Sequence, residues 1–85
     1  MGTAMVIFKV FTDPDKLDAV DKALREVKEG TFRDLKREPI GFGIEVIRVG
    51  YLIPDKVDGA MEKLESGVRK VSGINEVEVE MVTLI

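Results

Sequence analysis

An α+β sandwich, four antiparallel strands with two helices on one face, is the fold class this 85-residue chain predicts. Three observations carry the prediction. The apolar patterning runs β-α-β-β-α-β, as two βαβ halves of similar length. Leu17, Val20, Leu24 and Val27 recur at helical spacing in the first half. Near the end, Val77, Val79 and Met81 alternate with Glu76, Glu78 and Glu80, the period of a half-buried strand. Short chains in this order fold as the ferredoxin-like sandwich. Its first and third strands lie inside the sheet, and its second and fourth at the edges.

Each element follows from its residues. Ala4 to Phe11 is a β-rich run interrupted only by Lys9, which suits a central strand. Asp13 is placed to cap the first helix, with Pro14 at its first position. Gly30 is expected to close that helix in the left-handed conformation. Thr31 to Glu38 carries Phe32 and Leu35 among charged residues and reads as an exposed edge strand, since charge on an edge discourages pairing with other chains.

Residues 39–43 form the turn. Ile44 to Ile53 is the longest β-rich run, so it is placed centrally. Its apolar positions shift from Ile44 and Val46 to Ile47, Val49 and Tyr51, which implies a bulge or burial on both faces. Tyr51 is expected to keep its ring in the sheet and its hydroxyl in water. Pro54-Asp55 ends that strand. A second helix follows, with Ala60, Met61, Leu64, Val68 and Val71 on one face and Gly73 at its end.

Composition excludes much chemistry. Cysteine and histidine are both absent, which removes disulfides, thiolate metal sites, the usual zinc ligand and the commonest general base. The formal charge is −3, whereas a domain that grips a phosphate backbone is normally basic. No apolar run approaches the roughly 20 residues that span a bilayer. Met1-Gly2-Thr3 lacks the basic start of a signal peptide, so the expected address is the cytoplasm. Asp13, Asp15 and Asp18 crowd a helix start, where the macrodipole already favours negative charge. No catalytic residue, cofactor or metal ligand is assigned.

The stretch that asks for an explanation is Gly41-Phe42-Gly43, an aromatic between two glycines. A phosphate cradle would need a lysine and a hydroxyl ahead of a helix, but Ile44-Glu45 and a strand follow. Base stacking fits better, because RNA-recognition motifs share this topology and place a similar signature on the third strand. Here Ile40 replaces the basic opening residue, and Ile44 and Ile47 replace the stacking aromatics. Ile7-Phe8 on the first strand is the remaining partial match. Other readings are a ring folded back over the core edge and a wedge for a protein partner.

Glu38-Pro39-Ile40-Gly41-Phe42-Gly43-Ile44 resembles a segment of the elongation factor 1-beta family, exchange factors for the GTPase that delivers aminoacyl-tRNA. Residues 74–85, Ile-Asn-Glu-Val-Glu-Val-Glu-Met-Val-Thr-Leu-Ile, are similar to the last strand of its archaeal members. The resemblance implies one exchange domain over residues 1–85. It would promote GDP release and GTP rebinding on elongation factor 1-alpha, with no covalent catalysis, no membrane and no direct nucleic-acid contact.

The resemblance further implies that Gly41, Phe42 and Gly43 dock on the GTPase. Val82, Thr83, Leu84 and Ile85 would form the tail that approaches its nucleotide and magnesium. Eukaryotic relatives carry a lysine one residue from the end, where this chain has Leu84. An apolar side chain cannot displace a cation, so a wedge or backbone contacts would act instead, and Phe42 is read as that wedge. The rival is an RNA-recognition-like or small-ligand regulatory module on the same sandwich, which fold alone does not separate.

Overall fold

The computed structural model describes residues 2–42, 44–54 and 59–84. Strand β1 (Thr3–Thr12) leads through a single 3-10 turn, Pro14–Lys16, into helix α1 (Leu17–Arg25). Strands β2 (Thr31–Gly41) and β3 (Ile44–Pro54) form a hairpin. Helix α2 (Ala60–Arg69) and strand β4 (Ile74–Leu84) complete the chain. The sheet order is β2-β3-β1-β4, with every neighbouring pair antiparallel. The ferredoxin-like arrangement and its inner and outer strands are therefore as the sequence implies.

One sheet face and the two helices make the core. Val6, Phe8 and Val10 of β1 stand beside Tyr51, Val49 and Ile47 of β3. Leu17, Val20 and Leu24 of α1 and Ala60, Leu64 and Val68 of α2 close over them. Burying each larger aliphatic side chain here contributes about 1.5–3 kcal/mol. Strand alternation sends Met5, Ile7, Lys9 and Phe11 to the other face, which no helix covers.

Four expectations are corrected. Asp13 makes no side-chain cap; the 3-10 turn starts the helix, and the Asp13 carboxylate accepts a bond from Asn75 Nδ2 at 3.1 Å. Helix α1 ends at Arg25, well before Gly30, whose backbone is not left-handed. Gly30 instead permits close packing, since a Cβ there would come within 3.0 Å of Leu64 Cδ1 and 3.3 Å of Ile53 Cγ2. The Tyr51 hydroxyl is buried and donates to the Leu24 carbonyl at 2.6 Å, tying the sheet to α1. Burial pushes the hydroxyl's pKa up and keeps it a donor.

The fourth correction concerns register. Residues 39–41, expected in the turn, belong to β2. Met81, expected on the buried face with Val77, is half exposed on the helix-free face, whereas the reading of β3 as buried on both faces holds. Strand β3 pairs with β1 without a break, so its shifted apolar pattern reflects burial on both faces, with Val46 covered on the helix-free side. The irregularities lie in its neighbour. Strand β2 shifts register between Phe32 and Asp34 and again between Pro39 and Gly41, and it extends through what the sequence marks as turn. Strand β4 shifts against β1 between Ile7 and Phe8, leaving Glu80 as the extra residue.

Candidate functional site

The β2–β3 hairpin ends in a tight tip. Gly41 has φ 106°, a conformation side chains rarely adopt, and nothing lies within 4 Å of where its Cβ would be. The backbone turn, and not crowding, therefore requires glycine at this position. Phe42 follows with φ 54°, and it is the described non-glycine residue with positive φ. Holding a bulky L-residue there costs on the order of 1–2 kcal/mol. Its ring gains nothing in return from the domain itself, because Phe42 is fully exposed at 103%. The ring is not folded over the core edge.

Two further side chains share the tip. Ile40, the extra residue of the second β2 shift, is 54% exposed, and Ile44 is 42% exposed. Sequence reasoning assigned Ile40 to a turn and Ile44 to a central strand. The signal that would have grouped them is their spacing of two around Phe42 on a hairpin that projects beyond its neighbours. Gly43 lies outside the described residues.

The tail occupies the other end of the sheet. Val82 pairs with Val6, Thr83 with Met5 and Leu84 with Ala4. Val82 and Leu84 nevertheless remain 55% and 70% exposed, because their edge strand has no neighbour on its outer side. Ile85 lies outside the described residues. Through Ala4, Leu84 stands level with Ile53. From Ile44 to Ile53 strand β3 covers roughly 30 Å at about 3.3 Å per residue. Tip and tail are thus brought to opposite ends of a molecule whose longest extent is 43 Å.

The remaining candidates find structural explanations. Of the positions an RNA-binding platform would use, Phe8 and Ile47 are fully buried beneath the helices, and the exposed Ile44 has no aromatic ring to stack on a base. Gly41-Phe42 joins two strands and opens no helix, so no helix N-terminus awaits a phosphate there. Glu76 and Glu78 are exposed beside Phe11 and Lys9, whereas Glu80 pairs with Arg48 at 3.0 Å. Asp18 and Asp21 bind Arg37 at 2.9 and 2.8 Å. Partial burial raises the Asp21 pKa, but the bonds from Arg25 and Arg37 outweigh that and hold it below the usual carboxylate range.

Among the described residues no group of three or more carboxylates is placed to hold a metal ion, and no helix is long and apolar enough to cross a membrane. The two ends of the described sheet both expose apolar side chains, Phe42 with Ile40 and Ile44 at one and Val82 with Leu84 at the other.

Comparison with known proteins identifies the family and the fold. The family model described as the EF-1 guanine nucleotide exchange domain matches residues 5–85. An elongation factor 1-beta from Staphylothermus marinus is 34% identical over 88 residues, covering 96% of each chain. One from Methanoregula boonei is 33% identical over 86 residues, covering 99% of each. Among solved structures, the ACT domain from the GTP pyrophosphokinase of Chlorobium tepidum superposes with a TM-score of 0.57. It is 15% identical and covers 92% of this chain and 96% of that one. The de novo designed protein Foldit4 gives a TM-score of 0.58 at 16% identity, with 100% and 97% covered. Likeness at that level of identity reports the shared sandwich alone.

Proposed function

The chain belongs to the family of EF-1 guanine nucleotide exchange domains, and we propose that it engages its GTPase through the two separate ends of its sheet. Its activity is exchange on elongation factor 1-alpha, promoting GDP release and GTP rebinding. No covalent bond is made or broken. The whole chain, residues 1–85, acts as one exchange domain in the cytoplasm.

The energetics need only contact. Exchange factor and nucleotide bind the GTPase with negative coupling, each weakening the other by the same factor. Every tenfold loss in GDP affinity takes about 1.4 kcal/mol of differential contact energy. Phe42 is suited to supply docking energy, since a rigid exposed aromatic that becomes buried is a common interface anchor. Gly41 and Gly43 let the partner's surface approach the backbone on either side of the ring.

The separation of the two ends divides the labour. A tip and a tail roughly 30 Å apart along a strand cannot both enter one nucleotide pocket. The family resemblance sends the tail, Val82 to Ile85, towards nucleotide and magnesium. Phe42, read from the sequence as the wedge, is on this reading instead the docking anchor at a second place on the GTPase, because the tip lies at the opposite end of the sheet from the tail. With Leu84 where eukaryotic relatives carry lysine, the tail works by apolar and backbone contacts to the wall of the pocket, not by competing with the cation.

The observation that carries this reading is the exposed ring of Phe42 in a positive-φ conformation that its own domain does not reward. Stopped-flow release of fluorescent GDP from elongation factor 1-alpha, with and without the protein, tests it. The expected result is faster release that saturates with protein concentration. An unchanged off-rate rejects the assignment.

A further inference from the structure

Both helices pack on one side of the sheet, so the outward positions of the central strands β1 and β3 meet no other layer among the described residues. In an antiparallel sheet with one face in water, such positions are mostly polar. Here they include Met5, Ile7, Phe11, Val46 and Leu52, and only Lys9 and Arg48 are charged. Central strands that are apolar on both sides belong to a sheet covered on both.

Charge on this face is divided by strand. The β4 rim carries Glu76, Glu78 and Glu80. The other three strands carry Arg33, Lys36, Lys9 and Arg48 against Asp34 and Glu38, so they are basic on balance. Such a face repels a copy of itself turned about an axis across the strands, because glutamates would stack on glutamates. Turned about an axis parallel to the strands, it sets β4 over β2 and opposes unlike charges.

Register gives that second arrangement a matching shape. Lys36, Arg48, Lys9 and Glu78 stand on one level across the sheet, and Asp34, Gly50, Ile7 and Met81 on another. A two-fold axis running between β1 and β3 keeps each level and exchanges β3 with β1. It sets Ile7 of a second copy over Gly50, and the reverse, as an isologous contact requires. The groove above Gly50, about 390 Å³, is the hole for that side chain. A Cβ at Gly50 would meet nothing closer than 3.9 Å, so the domain's own packing leaves the hole open.

The same operation sets Met5 over Leu52 and Lys36 over Glu78, neither of which is in an ion pair among the described residues. It also brings Lys9 over Arg48. Arg48 is already held by Glu38 at 3.1 Å and Glu80 at 3.0 Å, and Lys9 Nζ lies 5.6 Å from the centre of its own Phe11 ring.

We propose that the helix-free face binds a second copy of this chain, giving a two-fold dimer of stacked sheets. Four strands about 4.8 Å apart and about 30 Å long offer roughly 600 Å² per copy, about 1,200 Å² in all, the lower end of specific interfaces. Tip and tail lie at the ends of the strands, outside this surface, and the test does not involve nucleotide exchange.

Sedimentation equilibrium of the full chain, from about 1 μM to about 1 mM, reads the association, with a dissociation constant in the micromolar range expected for an interface this small. The mass should rise from 9.5 kDa to twice that and no further. Lys36→Glu and Glu78→Lys, both at exposed positions, should each weaken dimerisation about tenfold or more by opposing like charges. Combining the two substitutions in one chain, or mixing the two single variants, should restore it, since every reversed charge then faces its opposite. A chain that stays monomeric at the highest concentration would overturn the proposal. So would masses that climb beyond two copies, as edge-to-edge strand pairing gives, or a double variant that associates no better than the singles.

Discussion

The two ends of the sheet expose apolar side chains in different ways. At the hairpin tip, Phe42 stands clear of the domain, and only the pairing of β2 with β3 supports it. At the other end, Val82, Thr83 and Leu84 are hydrogen-bonded to β1, and their exposure comes from lying on an open edge. On the proposed reading, tip residues carry contact and almost no stability, whereas tail residues carry both. Measurements at the tip isolate docking. Measurements at the tail must be corrected for loosening of β4.

Substitutions can sharpen or break that contrast, and the largest effect belongs to the tip. Phe42→Ala should slow protein-stimulated GDP release by about tenfold or more, a usual size for an interface anchor. Its melting temperature should stay the same or rise, since the alanine loses no buried contact. A drop in melting temperature comparable to a core substitution would show that the ring packs within the domain.

Next in size, Leu84→Ala should slow exchange by a few fold and cost about 0.5 kcal/mol of stability, the scale of a surface substitution. Equal exchange by this variant would remove the tail from the site. Between the two ends, Tyr51→Phe should lower stability by about 1 kcal/mol, or roughly 4–8 °C in a domain of this size, by deleting the buried bond to Leu24. It should leave exchange unaltered. Loss of exchange there would mean that stiffness of the central sheet, and not surface contact, limits the reaction.

The smallest expected effect is pH-dependent. Asp21 has its pKa lowered in the folded state, so its stabilising contribution is present above the unfolded value near 4 and is lost as pH falls through the folded value. Asp21→Asn should therefore reduce stability slightly at neutral pH and flatten the decline in melting temperature below about pH 4. A decline identical to wild type would show that its bonds to Arg25 and Arg37 are too solvent-screened to matter.

Much of the fold was legible because its signals are local. The Glu-Val-Glu-Val run of β4 gives strand and edge, though its expected buried face holds for Val77 and not for Met81, and the spacing of Leu17, Val20 and Leu24 gives α1 its buried side. The failures share a cause, which is dependence on a distant partner. Tyr51 meets a carbonyl 27 residues away, and Gly30 is fixed by Leu64 and Ile53, so neither fate is written beside the residue. Bulges are equally hidden, since an extra residue becomes visible only against the strand it fails to match. For the site, Phe42 stood out by its two glycines. Its companions Ile40 and Ile44 did not, and the distance from tip to tail needed the register of three strand pairs.

That distance is the central claim, and a double-mutant cycle on GDP release tests it most directly. Rates are measured with wild type, Phe42→Ala, Leu84→Ala and the double variant. Two ends acting at separate places on the GTPase should give additive effects, within about 0.5 kcal/mol for sites this far apart. Coupling above about 1 kcal/mol, the range found between residues in contact, would place both side chains in one pocket and contradict the account.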